Sequence, residues 1–321
     1  MVHFPVSGAE VNPLIPLLAA FAVSALTAPA GVSGAFLLLP FQVSVLGFTS
    51  PAVSPTNLVY NSVATPGGVY RYVREGRVVW PLAWMVIMGT LPGAFVGPVL
   101  RVTVLSDPRS FEVFVGLVLL YFGVRLLYGV PVGGTPSERT GTGPSTVRVV
   151  AASPLRVEYE YGGKAYAFGT PAIFALSLGV GVTGGIYSIG GGSIIAPFLV
   201  TVFGLPVYTV AGATLIGTFV TSVAGVAFYE LLAATGFGGG VPVAPDWLLG
   251  ITLGVGGLAG TYAGARLQRR VPERLIRCVL GVLVTLLAYP TGSTSRCISQ
   301  LPRIWHNRAY TPREVGSITW S

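Results

Sequence analysis

The chain carries the same pattern twice. Gly34, Pro40, Gly47, Val53, Asn57 and Asn61 recur 157 residues later as Gly191, Pro197, Gly204, Val210, Thr214 and Thr218. Further along the spacing becomes 167, where Trp80, Gly89, Gly93 and Gly97 match Trp247, Gly256, Gly260 and Gly264. Each copy contains a short stretch broken by Gly and Pro inside apolar surroundings, a plan common among membrane transporters.

Those surroundings decide the class. Residues 11–70 and 165–229 contain no Asp, Glu, Lys or Arg. Over the whole chain 9% of residues are charged, against roughly 25% in soluble domains. Hydrophobic residues make up 52%, and the mean hydropathy is +0.73. Uncharged runs of that length do not stay dissolved. A membrane-spanning helix takes about 20 apolar residues, so each run is expected to hold three passes. Apolar stretches at 78–100, 110–130, 246–265 and 272–290 bring the expectation to five segments per half and ten passes. The second segment of each half, 34–47 and 191–204, is short; if both dip in and return, the count is eight. The expected fold is an all-α polytopic membrane protein of two inverted repeats with broken, Gly-rich short helices. Its parts are a first membrane repeat over 11–130, a polar connector over 131–168, a second membrane repeat over 169–290 and a polar tail over 291–321.

Other classes fall away. The net charge of +8 comes from 19 basic residues, all but Lys164 arginine, placed mostly in loops between apolar segments. That is where membrane topology is encoded. No aromatic-basic platform interrupts the apolar runs, so no nucleic-acid partner is expected. A membrane-embedded enzyme needs ionisable or metal-ligating clusters within the bilayer. The two histidines, His3 and His306, lie outside the apolar segments, and no carboxylate pair sits within a span. No enzyme activity, metal or cofactor is therefore expected. Cys278 and Cys297 have no metal or redox spacing. The first ten residues carry no Lys or Arg, so the first apolar segment is expected to stay as a membrane helix.

The arginines give a topology. Arg71, Arg74 and Arg77 place the loop between the third and fourth segments inside, whereas its counterpart at 231–245 has no basic residue and reads as outside. Arg266, Arg269, Arg270, Arg274 and Arg277 cluster after the next segment of the second half, while its counterpart around Arg101, Asp107 and Arg109 is nearly balanced. Opposite biases imply opposite orientations, with the N-terminus outside and the 131–168 connection inside. The tail resists this scheme, because Arg296, Arg303, Arg308 and Arg313 argue for an inside C-terminus.

The connector opens with a Gly-, Thr-, Ser- and Pro-rich loop. Leu155, Val157, Tyr159 and Tyr161 then alternate with Arg156, Glu158 and Glu160 and lead into Gly162-Gly163. That is strand alternation ending in a hairpin turn, and a small cytoplasmic β-hairpin is expected.

The two Gly-broken stretches carry a resemblance. Gly31-Val32-Ser33-Gly34, followed by Pro40, Gly47 and Ala52, is similar to the first signature of the sulfite exporter TauE/SafE family. The run Gly184 to Ser193, followed by Pro197, Gly204 and Ala211-Gly212-Ala213-Thr214, resembles the second. Gly256, Gly260, Gly264 and Arg266, with Val271-Pro272-Glu273-Arg274-Leu275, resemble the same family. The likeness covers about 14–130 and 169–290 and leaves out the hairpin and the tail. In the first copy Val32, Ser33 and Ala35 stand where the family usually has more glycines, and Asn57 and Asn61 replace commoner small hydroxyl residues. The resemblance implies an integral membrane permease for small sulfur-containing or organic anions.

The residues support an anion site on their own terms. Gly190, Gly191 and Gly192 would break a helix in hydrocarbon, which is tolerated where the backbone is protein-buried or lines a wet cavity. A helix restarting at Ser193 points free N–H groups and a positive dipole end at the break. Ser33 and Gly34 can do the same from the other half. The alternative is that these glycines serve close packing. Asn57 and Asn61 share a helix face at i, i+4; Thr214, Thr218 and Thr221 or Ser222 repeat that face. These polar residues either bind substrate or clamp helices together. Gln42 is a further polar candidate. Gly89, Gly93 and Gly97, like Gly256, Gly260 and Gly264, read as helix-packing faces. Glu112 and Arg125 read as structural helix-end residues, and Glu230 as either interfacial or a coupling carboxylate.

The expected function is a multi-pass cell-membrane transporter of small anions, sulfite or an organosulfur or organic anion, held by neutral dipoles near the midplane. Its expected partners are the anion, the bilayer and, in a homo-oligomer, further copies of the chain. The alternative is a non-transporting membrane subunit of a larger complex, with a large exposed apolar patch and no central cavity.

Overall fold

A computed structural model describes residues 2–107, 110, 111, 113–117, 146–236 and 243–268. The first half supplies α1 (Leu14–Thr27), α2 (Ala35–Ser44), α3 (Val53–Arg74) and α4 (Trp80–Thr103). The second supplies α5 (Thr170–Tyr187), α6 (Gly191–Thr201), α7 (Val207–Ala234) and α8 (Trp247–Leu267). Four of these, α4, α5, α7 and α8, are long and apolar enough to cross a membrane. With 22 residues α3 is also long enough, but Asn57, Asn61, Arg71 and Arg74 lower its hydropathy. Large side chains such as Leu14 and Leu18 on α1, Trp84 and Met88 on α4, and Ile251 and Val255 on α8 stay exposed. In a membrane protein those faces meet lipid rather than water.

The helices α2 and α6 match the short-segment alternative of the expectation, in which the second segment of each half does not span. They have 10 and 11 residues, which at about 1.5 Å per residue is roughly half of a 30 Å hydrocarbon core. Each run therefore places a short helix between two longer ones, α1 with 14 residues and α3 with 22 in the first half, and α5 with 18 and α7 with 28 in the second. The cause is local. Gly31 (φ 73°) and its counterpart Ser188 (φ 58°) adopt left-handed backbone before the half-helices, and Gly47 (φ 68°) and Gly204 (φ 65°) do so after them. The passes expected near 110–130 and 272–290 lie mostly or wholly outside the described residues. So do Glu112, Arg125, Cys278, Cys297, His306 and the tail.

The glycine stripes set the helix pairing. A Cβ on Gly93 or Gly97 would fall on the backbone of Gly181 or Gly185, so α4 lies directly on α5. Gly256, Gly260 and Gly264 meet the carbonyls of Leu17, Phe21 and Ala25 in the same way, so α8 lies on α1. Both stripes are packing faces, as the sequence suggests. The long helices also pack α3 on α8 and α4 on α7. Between α3 and α7, Leu58 sits at Gly225 and Leu215 at Gly68, so this pair of equivalent helices runs antiparallel.

Two small sheets mark opposite ends of the bundle. At one end β1 (Val2–His3) and β2 (Glu10–Val11) pair antiparallel. Buried Asp246 ties them to the start of α8: its Oδ2 accepts from Val6 and Ser7 N–H at 3.2 and 3.0 Å, and its Oδ1 from Leu249 N–H. At the other end β4 (Arg156–Tyr161) and β5 (Lys164–Gly169) form the expected hairpin through Gly162 (φ 60°) and Gly163 (φ 75°). A third strand, β3 (Arg148–Ala152), completes the sheet. Tyr159 is buried and its hydroxyl lies 3.0 Å from Thr209 Oγ1 at the start of α7, which docks the sheet. Burial pushes the Tyr159 phenol above its ordinary range, so it remains a neutral hydrogen-bonding group. Nearby, Glu75 pairs with both Arg71 and Arg77, and Arg77 donates to Gln268 Oε1 at 2.8 Å. Two of the three arginines that mark this loop are thus engaged with Glu75.

Candidate functional site

The two half-helices begin at the same place. α1 ends in a 3-10 turn (Ala28–Ala30), and the left-handed Gly31 turns the chain toward Ser33 and Gly34 at the start of α2. α5 ends at Tyr187, and left-handed Ser188 followed by Gly190 (φ 76°) turns it into α6. Ser188 is the non-glycine residue with positive φ among the described residues, a sparsely populated state for an L side chain. The two starts touch: the Ser33 N–H donates to Ser193 Oγ at 3.0 Å.

A buried polar network surrounds that contact. Asn61 bridges the halves, with Oδ1 accepting from Ser33 Oγ and Nδ2 donating to the Ile189 carbonyl at 3.0 Å. Asn57 Nδ2 donates to the carbonyls of Ala35 at 3.2 Å and Ser188 at 3.1 Å, while Oδ1 accepts from Gln42 Nε2 at 3.1 Å. In the second half Thr214 Oγ1 donates to the Gly31 carbonyl at 3.0 Å, and Thr218 Oγ1 lies 3.0 Å from Ser193 Oγ. The repeat spacing relates two of these bonds. Asn57 with Ser188 and Thr214 with Gly31 are the same interaction made by opposite halves, each polar side chain holding the other half's left-handed turn.

The structure therefore brings together Ser33, Gly34, Asn57, Asn61, Gly190, Gly191, Gly192, Ser193, Thr214 and Thr218, with Gln42 added. The glycines are also tightly packed. A Cβ would meet Tyr60 and Ser24 at Gly34, Thr218 and Ser222 at Gly190, Thr90 at Gly191, and Thr214 and Thr218 at Gly192. Break and close packing are thus one feature, not alternatives. Beside them lies a small cavity of about 10 Å³, room for one water-sized occupant, lined by Gly190, Gly191, Thr90, Leu58, Pro98 and Gly225 among others. Among the described residues no group of His, Cys, Asp and Glu is arranged to hold a metal.

Glu230 is not part of this centre. It sits near the end of α7, where Oε1 accepts from Trp247 Nε1 at 2.9 Å. Sequence reasoning missed the strained Ser188 and the buried groups Arg101, Ser54 and Tyr229 near the same end. For Arg101 the available signal is a lone arginine directly abutting an apolar stretch.

The family model for the sulfite exporter TauE/SafE matches residues 16–290. The chain belongs to the sulfite exporter TauE/SafE family. No curated protein and no solved structure matches it. In this TauE/SafE protein the matched span contains both Gly-broken starts, both glycine stripes and the sheet between the halves. Membership makes the chain a multi-pass membrane protein of an anion-exporter family. The two breaks, which carried the resemblance in sequence, are adjacent in space.

Proposed function

We propose that this TauE/SafE protein carries sulfite or a related small organosulfur anion through an inverted repeat, binding it between the two half-helix starts with neutral dipoles. The observation that carries the reading is the direct contact of those starts, Ser33 N–H to Ser193 Oγ. Two helix N-termini converge on one buried spot from opposite halves, so their positive ends reinforce there. Asn57, Asn61 and Thr214 hold the carbonyls at the breaks, which leaves N–H groups and the hydroxyls of Ser33, Ser193 and Thr218 to face an anion. Antiparallel α3 and α7 support the inverted relation. The polar groups bond to each other in this closed arrangement, and an anion entering between the starts exchanges with those bonds.

Counterflow in proteoliposomes tests the reading. Labelled sulfite, thiosulfate, sulfate and sulfoacetate are offered in turn, and sulfite or an organosulfur anion is expected to exchange. Exchange of none of the four would contradict it and favour the non-transporting subunit.

A further inference from the structure

Arg101 has no solvent exposure, although it stands in the last turn of a membrane-crossing helix. Its Nε donates to Ser54 Oγ at 3.2 Å, its Nη1 to the Leu105 carbonyl, and its guanidinium carbon lies 3.7 Å from the Phe111 ring centre. Its Nη2 is buried with no hydrogen-bond partner. The other fully buried arginine, Arg77, pairs with Glu75; among the described residues no carboxylate pairs with Arg101. A guanidinium buried in protein without a counter-ion is costly, which makes Arg101 a candidate functional group.

The neighbours of Arg101 point the same way. The Tyr229 hydroxyl is buried with Ser54, Ser188 and Arg101 beside it, and it makes no hydrogen bond of full geometry. The Ser222 hydroxyl, two turns back on α7 and next to Gly190, is also buried and unpaired. The small cavity, lined by Gly190 and Thr221, lies close to Ser222. Its lining residues Pro98, Leu58 and Gly225 each stand one turn from Arg101, Ser54 and Tyr229 respectively. Ser222, next to a helix start, and Tyr229 and Arg101, toward one end of the bundle, each keep a buried donor with bonding capacity to spare.

We propose that Arg101, with Tyr229, forms a second anion subsite on the path between the half-helix starts and the bundle end marked by β1 and β2. The proposal rests on the transport reading above and adds a charged station to a centre built of neutral dipoles. The guanidinium supplies the countercharge that draws the anion in, and Nη2 and the Tyr229 hydroxyl donate to it. Arginine suits the role because it stays charged when buried and its planar fork matches oxyanions.

The test uses detergent-purified protein and proteoliposomes with the same four anions. The anion that most raises the thermal midpoint of the wild type is selected. In Arg101→Gln that stabilisation is expected to need about tenfold more anion, with KM for counterflow rising by the same factor. Arg101→Lys keeps the charge and recovers most of both. Tyr229→Phe, which leaves the packing in place, raises both about fivefold. A wild type that is stabilised but moves no anion would overturn the transport reading and leave the subsite standing. A wild type that transports while Arg101→Gln and Tyr229→Phe keep its KM and its stabilisation would overturn the subsite alone. No stabilisation of the wild type by any of the four anions would overturn it as well.

Discussion

Asn57 has all its polar atoms engaged, donating to Ala35 and Ser188 and accepting from Gln42. Asn57→Leu strands the Ser188 carbonyl and the Gln42 amide in the interior, and stranding buried polar groups costs about 1–3 kcal/mol each. The variant is expected to lose roughly 2–4 kcal/mol and several degrees of thermal midpoint in detergent. A midpoint equal to the wild type would mean that Asn57 does not hold the breaks. A pair of asparagines at i, i+4 in an uncharged run was legible in the sequence as either binder or clamp. Which of the two was not, because the partners are carbonyls of the other half, 128 and 131 residues away for the bonds to Ile189 and Ser188. The strain at Ser188 was hidden for a similar reason. Its first-half counterpart is Gly31, so only the structure shows that a serine bears the left-handed turn.

At the scale of elements the glycine stripes decide how helices meet. Gly93→Ala places a Cβ against the Gly181 backbone, and Gly260→Ala places one against Phe21. Overpacking of this kind costs about 1–3 kcal/mol, so both variants should unfold at lower temperature. Gly179 provides the control, because its Cβ would meet nothing within 4 Å. Gly179→Ala should be neutral or gain up to about 1 kcal/mol in helix propensity. Equal losses at all three positions would contradict packing as the role of the stripes. The stripes were readable because small residues at spacing four have one strong structural use in a membrane. The half-helices were only partly readable, since length alone leaves open whether a 14-residue apolar stretch spans. The hairpin was clear from its alternation, whereas β3 in the run Arg148–Ala152 lacks that alternation and is exposed at every position. Tyr159→Phe is expected to loosen the sheet by about 1 kcal/mol, the value of one net hydrogen bond. Hydrogen exchange over 156–169 should then quicken. Because burial raises the Tyr159 pKa above its usual 10.0, the contribution of this phenol is complete below that pH and is lost only as pH rises further.

For the whole molecule, the proposed transport requires that the buried polar centre where the two related halves meet opens to each side in turn. Orientation comes first. Arg74 and Thr235 end the equivalent helices α3 and α7, so single cysteines there should label from opposite sides of the membrane. Labelling from one side would make the halves parallel. The arginine bias of the sequence predicts the same outcome, and in the folded protein Arg71 and Arg77 pair with Glu75. The most direct measurement places a cysteine at position 222, beside Gly190, in a chain whose Cys278 and Cys297 are serine. Its modification by an impermeant thiol reagent is followed from each side of sealed proteoliposomes. Position 222 is expected to react from both sides, with sulfite slowing both reactions. Reaction from one side only, or rates that sulfite leaves unchanged, would contradict an anion site at the paired helix starts.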